Sequence, residues 1–212
     1  MHSTLLNQAI QQSAAVSDYL SKTLGTKATV DTRGRFAMAY LTLSLEHREA
    51  ILLLVDVGAF ASATALQRPL LEAFVSGAWI LNDATKDEVR DIAALNRPPP
   101  KFETMAQRLR KSHDLGKVFE IFRCHYGIMG DYAHGHQRQL SRWVSSTGVE
   151  PQYSEDQMIE TLRHCDIVGL LAAVHREKIS ARPTEGLFEL LTAAMHSRDY
   201  AGRLQTLTLN DR

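Results

Sequence analysis

The sequence predicts an all-α fold, a bundle of long antiparallel helices with shorter helices packed outside it. Apolar residues recur at helical spacing along most of the 212 residues, and alternating runs of β-branched and aromatic residues are nearly absent. The chain is 44% hydrophobic and 23% charged, which is typical of globular proteins and argues against disorder. We therefore expect residues 1–212 to form a single all-helical domain with a full core.

Helical spacing places a first helix over residues 4–24. The loop that follows contains Gly34, which interrupts the pattern. Two strongly apolar helices are then expected over 36–57 and 58–82, separated at Gly58. Because they are apolar on nearly every side, we expect both to be central and buried.

The second half of the chain predicts shorter helices and then two longer ones. The Arg97-Pro-Pro-Pro100 segment is the strongest helix breaker in the sequence. Ser154 and Gln157 have the spacing of a capping box, which would open a helix at this point. The helices expected in this half lie at about 84–96, 103–112, 115–126, 154–178 and 187–204.

The cysteine content and the charge distribution indicate a cytoplasmic protein. Only Cys124 and Cys165 are present, which favours a reducing compartment over a disulfide-stabilised secreted domain. The first residues lack the basic and apolar regions of a signal peptide. Both apolar helices carry charges, and each would cost roughly 2.5–3.5 kcal/mol at the centre of a bilayer, so no membrane partner is expected.

The most informative charged residues lie inside the helix predicted over 58–82. Arg68 and Glu72 are four residues apart and share one face with Trp79. Because this helix is apolar all round, we expect at least one of the pair to be buried and therefore paired. Two interpretations remain open: an internal ion pair that joins helices, with Glu46 or Glu49 of the preceding helix as a partner, or a pair that organises a pocket.

A Glu46-His-Arg-Glu49 run places similar charges in the preceding helix. Glutamates and a histidine in a helical bundle are reminiscent of di-iron sites, but those sites need a Glu-x-x-His motif from each of two helices. No Glu-x-x-His occurs in this sequence, so we expect no metal and no other cofactor.

A third group of polar residues lies in the run from Asp131 to Arg142. His134 and His136, with Tyr132 and Arg138 nearby, could supply a general base, a general acid and a cation for phosphate. The alternative is a solvated entry to a helix in which the two histidines have no chemical role.

These residues carry a resemblance to a known group of proteins. The stretch from His47 to Ile80, with its small residues, Arg68-x-x-x-Glu72 and Trp79, resembles a group of bacterial helical proteins. In that group a Tyr or Ser followed by His recurs downstream, which Tyr132-Ala-His134 matches. The resemblance covers roughly residues 36–140. More distantly, such proteins are similar to HEPN domains, which are helical bundles of prokaryotic toxins, phage-defence systems and RNA-processing enzymes.

The resemblance implies a metal-independent ribonuclease that acts as a homodimer, with RNA and a cognate antitoxin or regulatory protein as partners. In HEPN ribonucleases an Arg is followed after four to six residues by a His, and Arg108 and His113 have that spacing. The recurrent positions themselves do not form this motif, which keeps open a non-catalytic ligand-binding or partner-binding bundle as the alternative. The candidate catalytic residues are Arg68, Glu72 and His134. The candidate binding residues are His47, Arg108, His113, Tyr132, His136 and Arg138.

The charge balance is compatible with an RNA partner without requiring one. The chain has 24 Lys and Arg against 24 Asp and Glu, so its formal charge is zero. Residues 97–142 nevertheless contain nine Lys and Arg against four Asp and Glu, together with four of the nine histidines. We therefore expect a basic surface in the middle of the chain.

Overall fold

A computed structural model of the chain describes residues 2–25, 30–112 and 126–196, and every regular element in these ranges is a helix. The only β-type pairing there is an isolated bridge between Val144 and Val149. The prediction of an all-helical fold is therefore confirmed. Among the described helices, none combines the length and the apolar character needed to cross a membrane. The helices are α1 Thr4–Thr23, α2 Thr32–Asp56, α3 Phe60–Asn82, α4 Lys86–Ala93, α5 Phe102–Ser112, α6 at 126–133, α7 Gln137–Leu140, α8 Glu155–Ile179 and α9 Glu185–His196.

Helices α2, α3 and α8 form the centre of the bundle, as their apolar sequences predict for the first two. The short link between α2 and α3 makes them antiparallel neighbours, and they share the most extensive contact in the described structure. Phe74 and Trp79 of α3 are fully buried in the core beside Leu41 of α2. Helices α1 and α9 pack on α8, and α5 packs on α3, so the face of α3 that carries Arg68 lies towards the outer helices.

Helix α2 begins at Thr32, four residues before the predicted start at 36, and Gly34 does not break it. The Asp31 side chain caps the helix by accepting a hydrogen bond from the Gly34 amide at 2.8 Å. A Cβ atom at Gly34 would lie 2.9 Å from Cβ of Val30 and 3.3 Å from Cγ2 of Ile179. Gly34 is therefore a point of close packing inside the first turn, and the prediction of a loop here is wrong.

The remaining predicted boundaries agree to within a few residues where the structure describes them. The capping box of Ser154 and Gln157 is confirmed and opens α8. Helix α3 begins at Phe60 instead of 58, because the preceding turn extends through Gly58 at a positive φ of 79°. Helix α9 begins at Glu185, before the predicted 187, and is described to His196. The predicted helix at 115–126 falls outside the described residues except for its last position, as does the predicted part of the last helix beyond 196.

Arg48 of α2 is completely buried and connects three helices through hydrogen bonds. Its Nε and Nη2 donate to Oδ1 of Asp166 on α8, at 2.8 and 2.6 Å. On α1, Nη2 also donates to the hydroxyl and the carbonyl of Ser13, and Nη1 donates to the hydroxyl of Ser17. Nη1 completes the set with a hydrogen bond to the neighbouring Glu49. All three guanidinium nitrogens therefore have acceptors.

The Arg48 guanidinium stays charged in the core because two carboxylates surround it. Burial alone would lower the pKa of Arg48, but the charges of Asp166 and Glu49 outweigh that effect and raise it. Asp166 is itself fully buried, and the Ser13 hydroxyl donates to it at 2.8 Å. Space for the arginine comes from Gly169, where a Cβ would lie 2.9 Å from Cδ of Arg48. The bundle is thus built around a buried, fully hydrogen-bonded ion pair.

We expect Arg48→Met to lower the free energy of unfolding by about 3–5 kcal/mol, because it leaves the Asp166 carboxylate buried without its cation. Urea denaturation measures this loss. The double variant Arg48→Met/Asp166→Asn should recover part of the lost free energy of unfolding, because burying a neutral amide destabilises the fold less than burying an unpaired carboxylate.

The matched control is Arg90→Met, which breaks the exposed pair of Arg90 with Asp87 and should cost less than about 1 kcal/mol. Equal losses for the two Arg→Met variants would show that the buried pair does not stabilise the fold.

Candidate functional site

Arg68 and Glu72 form an ion pair one turn apart on α3. Nε of Arg68 donates to Oε1 of Glu72 at 2.9 Å. Their side chains are 24% and 40% exposed, so the prediction that at least one of them is buried is wrong. The reason is that this side of α3 is covered incompletely by the outer helices and lines two crevices. The fully buried arginine of the bundle is Arg48, on the neighbouring helix.

Tyr126 of α6 completes the pair to a three-residue cluster, which we call the Arg68 cluster: Arg68, Glu72 and Tyr126. Nη2 of Arg68 donates to the Tyr126 hydroxyl at 2.8 Å, and that hydroxyl donates to Oε1 of Glu72 at 2.5 Å. The Tyr126 ring stacks on Phe102 of α5 with the ring centres 3.8 Å apart. The guanidinium carbon of Arg68 lies 4.5 Å from the centre of the same ring, which adds a cation–π contact.

These contacts set the protonation states of Tyr126 and Arg68. Burial and the hydrogen bond to Glu72 raise the pKa of Tyr126 far above its usual value, so its hydroxyl remains a donor. Partial burial alone would lower the pKa of Arg68, but the hydrogen bond to Glu72 and the neighbouring Tyr126 raise it. The cluster therefore presents a permanently charged guanidinium, held in position from two sides.

Gly130 of α6 provides the space that the Arg68 guanidinium occupies. It follows Tyr126 by four residues and so lies on the same face of the helix. A Cβ atom at this position would lie 2.5 Å from Nη1 of Arg68. Gly130 thus contributes to the site through the close approach that its missing side chain permits.

Two crevices lie beside the Arg68 cluster, and Arg68, Pro69 and Glu72 line both of them. The first has a volume of about 650 Å³ and is also lined by Tyr126, His47 and groups that are described below. The second has a volume of about 530 Å³ and is also lined by His134. The structure therefore brings together the three candidate catalytic residues, Arg68, Glu72 and His134, around one crevice.

The first crevice combines polar groups with apolar surface. Its apolar walls come from Leu43, Met105, Pro99 and Pro100, and its rim carries Lys101 and Glu103. Burial lowers the pKa of the His47 imidazole, although the nearby Glu46 charge opposes that shift. His47 is therefore mainly neutral at pH 7 and can accept a hydrogen bond or a proton.

Three other predicted site residues lie away from the two crevices. Nε of Arg138 pairs with Oδ2 of Asp131 at 2.9 Å, and Nδ1 of His136 lies 3.4 Å from the other oxygen of that carboxylate. Both side chains are exposed. Tyr132 lines a third pocket on the opposite side of α6. His136 nevertheless stays next to His134, with the ring centres 5.8 Å apart, and of these two histidines His134 is the one that lines a crevice.

Arg108 has contacts typical of a structural residue. Its Nη1 donates to Oε1 of Glu88 at 2.9 Å, its Nη2 donates to the Asp83 carbonyl, and its guanidinium lies over the Trp79 ring. The hydrogen bond from Arg108 is the largest cause that lowers the pKa of Glu88. His113, the second member of the predicted Arg108 motif, lies outside the described residues.

No metal-binding group emerges from the described ranges, where no set of three or more His, Cys, Asp or Glu side chains is arranged to hold an ion. The arrangement around Arg68 offers charge and hydrogen bonds instead: a fixed cation, an adjacent carboxylate and two histidines. Such a set can bind a polar ligand or move a proton.

Sequence reasoning missed Tyr126, Phe102 and Gly130. The four-residue spacing of Tyr126 and Gly130 was a usable signal, because it places both on one helix face. The glycines of this segment instead favoured a turn or a helix entry. The contact of Tyr126 with Glu72 joins residues 54 positions apart and has no local signal.

Comparison with known proteins gives one match. A family model described as "Family of unknown function (DUF6988)" matches residues 41–187, which include the Arg68 cluster, Gly130 and both crevice histidines. No curated protein and no solved structure matches the chain.

We expect Gly130→Ala to displace the Arg68 guanidinium, because the new methyl group would overlap Nη1. The matched control is Gly127→Ala on the same helix, where a Cβ meets none of the described residues within 4 Å. Gly127→Ala should raise the free energy of unfolding by about 0.5–1 kcal/mol through helix propensity, and Gly130→Ala should gain less or lose stability.

Urea denaturation measures the stability, and the Arg68 Nε–H signal in a ¹⁵N NMR spectrum reports the guanidinium. An unchanged Arg68 signal in Gly130→Ala, with the same gain in stability as in Gly127→Ala, would contradict this account of the site.

Proposed function

The chain belongs to DUF6988, a family of unknown function, and we propose that it binds a small phosphorylated ligand of the nucleotide class at the Arg68 cluster. The observation that carries this proposal is the Arg68 guanidinium, which is held in place by Glu72 and Tyr126 while it lines two crevices. The protein would then be a binding or regulatory bundle.

The hydrogen-bonding capacity of Arg68 supports an anionic ligand. A guanidinium has five N–H donors in a planar fork that suits phosphate and carboxylate oxygens. Within the described residues, Nε and Nη2 of Arg68 each have one acceptor and Nη1 has none. A phosphate in either crevice can accept the remaining hydrogens.

The neighbouring groups favour a ligand that has donors as well as a phosphate. Glu72 receives both of its described hydrogen bonds at Oε1, and its half-exposed carboxylate leaves Oε2 as an acceptor. Ribose hydroxyls and base amino groups are donors of the kind that a carboxylate binds. The opposite charges of Lys101 and Glu103 on the rim cancel each other. The first crevice therefore suits a ligand that has hydrogen-bond donors beside its phosphate better than it suits a simple anion.

The rigidity of the cluster also supports binding. Two hydrogen bonds and the contact with the Tyr126 ring fix the guanidinium before any ligand arrives. A ligand therefore does not have to order a long flexible side chain, which typically costs about 0.5–1.5 kcal/mol.

We expect nucleoside monophosphates to raise the melting temperature of the protein, because a ligand that binds only the folded state stabilises it. Thermal-shift assays with AMP, GMP, CMP and UMP, followed by isothermal titration calorimetry, provide the test. Arg68→Lys should weaken binding by about tenfold or more, since a hydrogen bond to a charged group contributes about 1.5–3 kcal/mol.

The control is Arg90→Lys, which changes another exposed arginine paired with an acidic residue on its own helix, outside both crevices. Absence of any shift with the four nucleotides, or equal affinities for Arg68→Lys and Arg90→Lys, would refute the proposal.

A second candidate is favoured by one observation, the position of His134 in the crevice that Arg68 and Glu72 also line. In this proposal the protein is an HEPN-like, metal-independent ribonuclease or toxin-type effector. A His134 imidazole would take the proton of a ribose 2′-hydroxyl, and the 2′-oxygen would attack phosphorus as the bond to the 5′-oxygen breaks. The 5′-oxygen would take a proton from water and leave as a hydroxyl, with a 2′,3′-cyclic phosphate as the other product. Arg68 would stabilise the charge on the phosphate. The same proposal includes a homodimer as the active form, a cognate antitoxin as a partner and the cytoplasm as the site of action.

If the second candidate holds, the purified protein should cleave total RNA in the presence of EDTA, and His134→Ala and Arg68→Ala should each abolish cleavage. His196→Ala, which alters an exposed histidine at the end of α9, should cleave normally. RNA that stays intact with the unmodified protein, or cleavage that survives His134→Ala, would exclude it.

A further inference from the structure

The described structure contains a further pocket that lies apart from the Arg68 cluster, between α3, α6 and α8. We propose that this pocket binds an organic cation with a large apolar body. Its volume is about 680 Å³, which is within the range of small-molecule sites. We call it the α6–α8 pocket, and its apolar walls include Ile128, Met129, Tyr132, Tyr153, Met158 and Ile167.

The α6–α8 pocket is separated from the Arg68 cluster by helix α6 itself. Tyr126 and Gly130 lie on the face of α6 that contacts Arg68. Ile128 and Tyr132 are offset from them by two residues, which places them on the opposite face. The proposal is therefore independent of the function proposed for the Arg68 cluster.

The walls of the pocket suit an apolar body that carries a diffuse positive charge. Met129, Met158 and Met195 are flexible and polarisable, so they can adjust to ligands of different shape. The rings of Tyr132 and Tyr153 offer aromatic surface, which attracts cations. An apolar cation would gain from both kinds of contact.

The Tyr153 hydroxyl is a second observation that points to a ligand. It is shielded from solvent and makes no hydrogen bond within the described part of the chain. A buried hydroxyl without a hydrogen-bond partner destabilises the structure. A polar group on a ligand, or a water molecule that accompanies it, would satisfy this hydroxyl.

The charges that line the pocket favour a cation over an anion. Asp156 and Glu160 are acidic, and Asp156 makes no ion pair among the described residues. Arg163 is the only lining residue with a permanent positive charge, and it is already engaged: it donates to the carbonyls of Ala194 and Met195, each at 2.9 Å, and pairs with Glu160 at 3.6 Å. His164 is the remaining lining group that could carry a positive charge, and the test below therefore compares ligands of both signs.

Tetraphenylphosphonium and tetraphenylborate are suitable probes, because they have nearly the same size and shape and opposite charge. We expect isothermal titration calorimetry on the full chain to show binding of the phosphonium at least about tenfold tighter than that of the borate. Asp156→Asn should weaken phosphonium binding by about two- to fivefold, as expected for a partly solvated charge pair. The ratio of the affinities for phosphonium and borate should decrease accordingly.

Ile128→Lys places a positive charge in the pocket wall and should weaken phosphonium binding by more than about tenfold. Ile128 is 38% exposed, so the lysine can be accommodated without loss of the core. The matched control is Leu140→Lys, at a residue that is 61% exposed and does not line the pocket. Circular dichroism establishes that Ile128→Lys and Leu140→Lys are both folded. Asp156→Asn provides a further test of the pocket that does not require a lysine in its wall.

Equal affinity for the two probes would overturn the proposed charge preference, and tighter borate binding would show that His164 and Arg163 dominate the pocket. Absence of phosphonium binding, or undiminished binding by Ile128→Lys, would overturn the assignment of the site.

Discussion

The hydrogen bonds of the buried Arg48–Asp166 ion pair determine how helices α1, α2 and α8 meet in the core. An arginine does not lose its charge in the core, so the folded bundle has to place acceptors from both α1 and α8 around the Arg48 guanidinium. Gly169 makes this possible by letting α8 approach the arginine stem. Apolar packing alone would tolerate several rotations of these helices, and the directional hydrogen bonds select one of them.

These hydrogen bonds fix the orientation of α2. The short link between α2 and α3 then determines where α3 lies, and the outer face of α3 carries the candidate site. Arg68 and Glu72 lie on that face without being enclosed, and α5 and α6 supply Phe102 and Tyr126 around them. Arg48, in the core, therefore has hydrogen bonds on all three of its guanidinium nitrogens. The Arg68 cluster, at the surface, has a donor on Arg68 and an acceptor on Glu72 that no described residue uses. The two arginines, on adjacent helices, therefore differ in role: Arg48 holds the core together, and Arg68 has N–H groups for the ligand proposed above.

The sequence was sufficient for the helices and insufficient for the contacts between them. Periodicity located α2, α3 and α8 because each has a strong local apolar pattern, and the Ser154 capping box lies within four residues. The buried charge was expected at Arg68 and is found at Arg48, since burial depends on which distant helix supplies a partner, here Asp166, 118 positions away. Tyr126 was missed for the same reason. The pairing of Arg68 with Glu72 was accessible because it is local, four residues along one face.

The close approach of Arg68 to Gly130 has a consequence for the family as a whole. The two residues belong to different helices, yet position 130 is not free to vary while Arg68 is present, because a side chain at 130 and the guanidinium above it compete for the same volume. Family members that have an arginine at the position of Arg68 should therefore also have a glycine at the position of Gly130. This pair of alignment columns would then indicate, without any structure, which relatives have inherited the crevices and which have only the bundle.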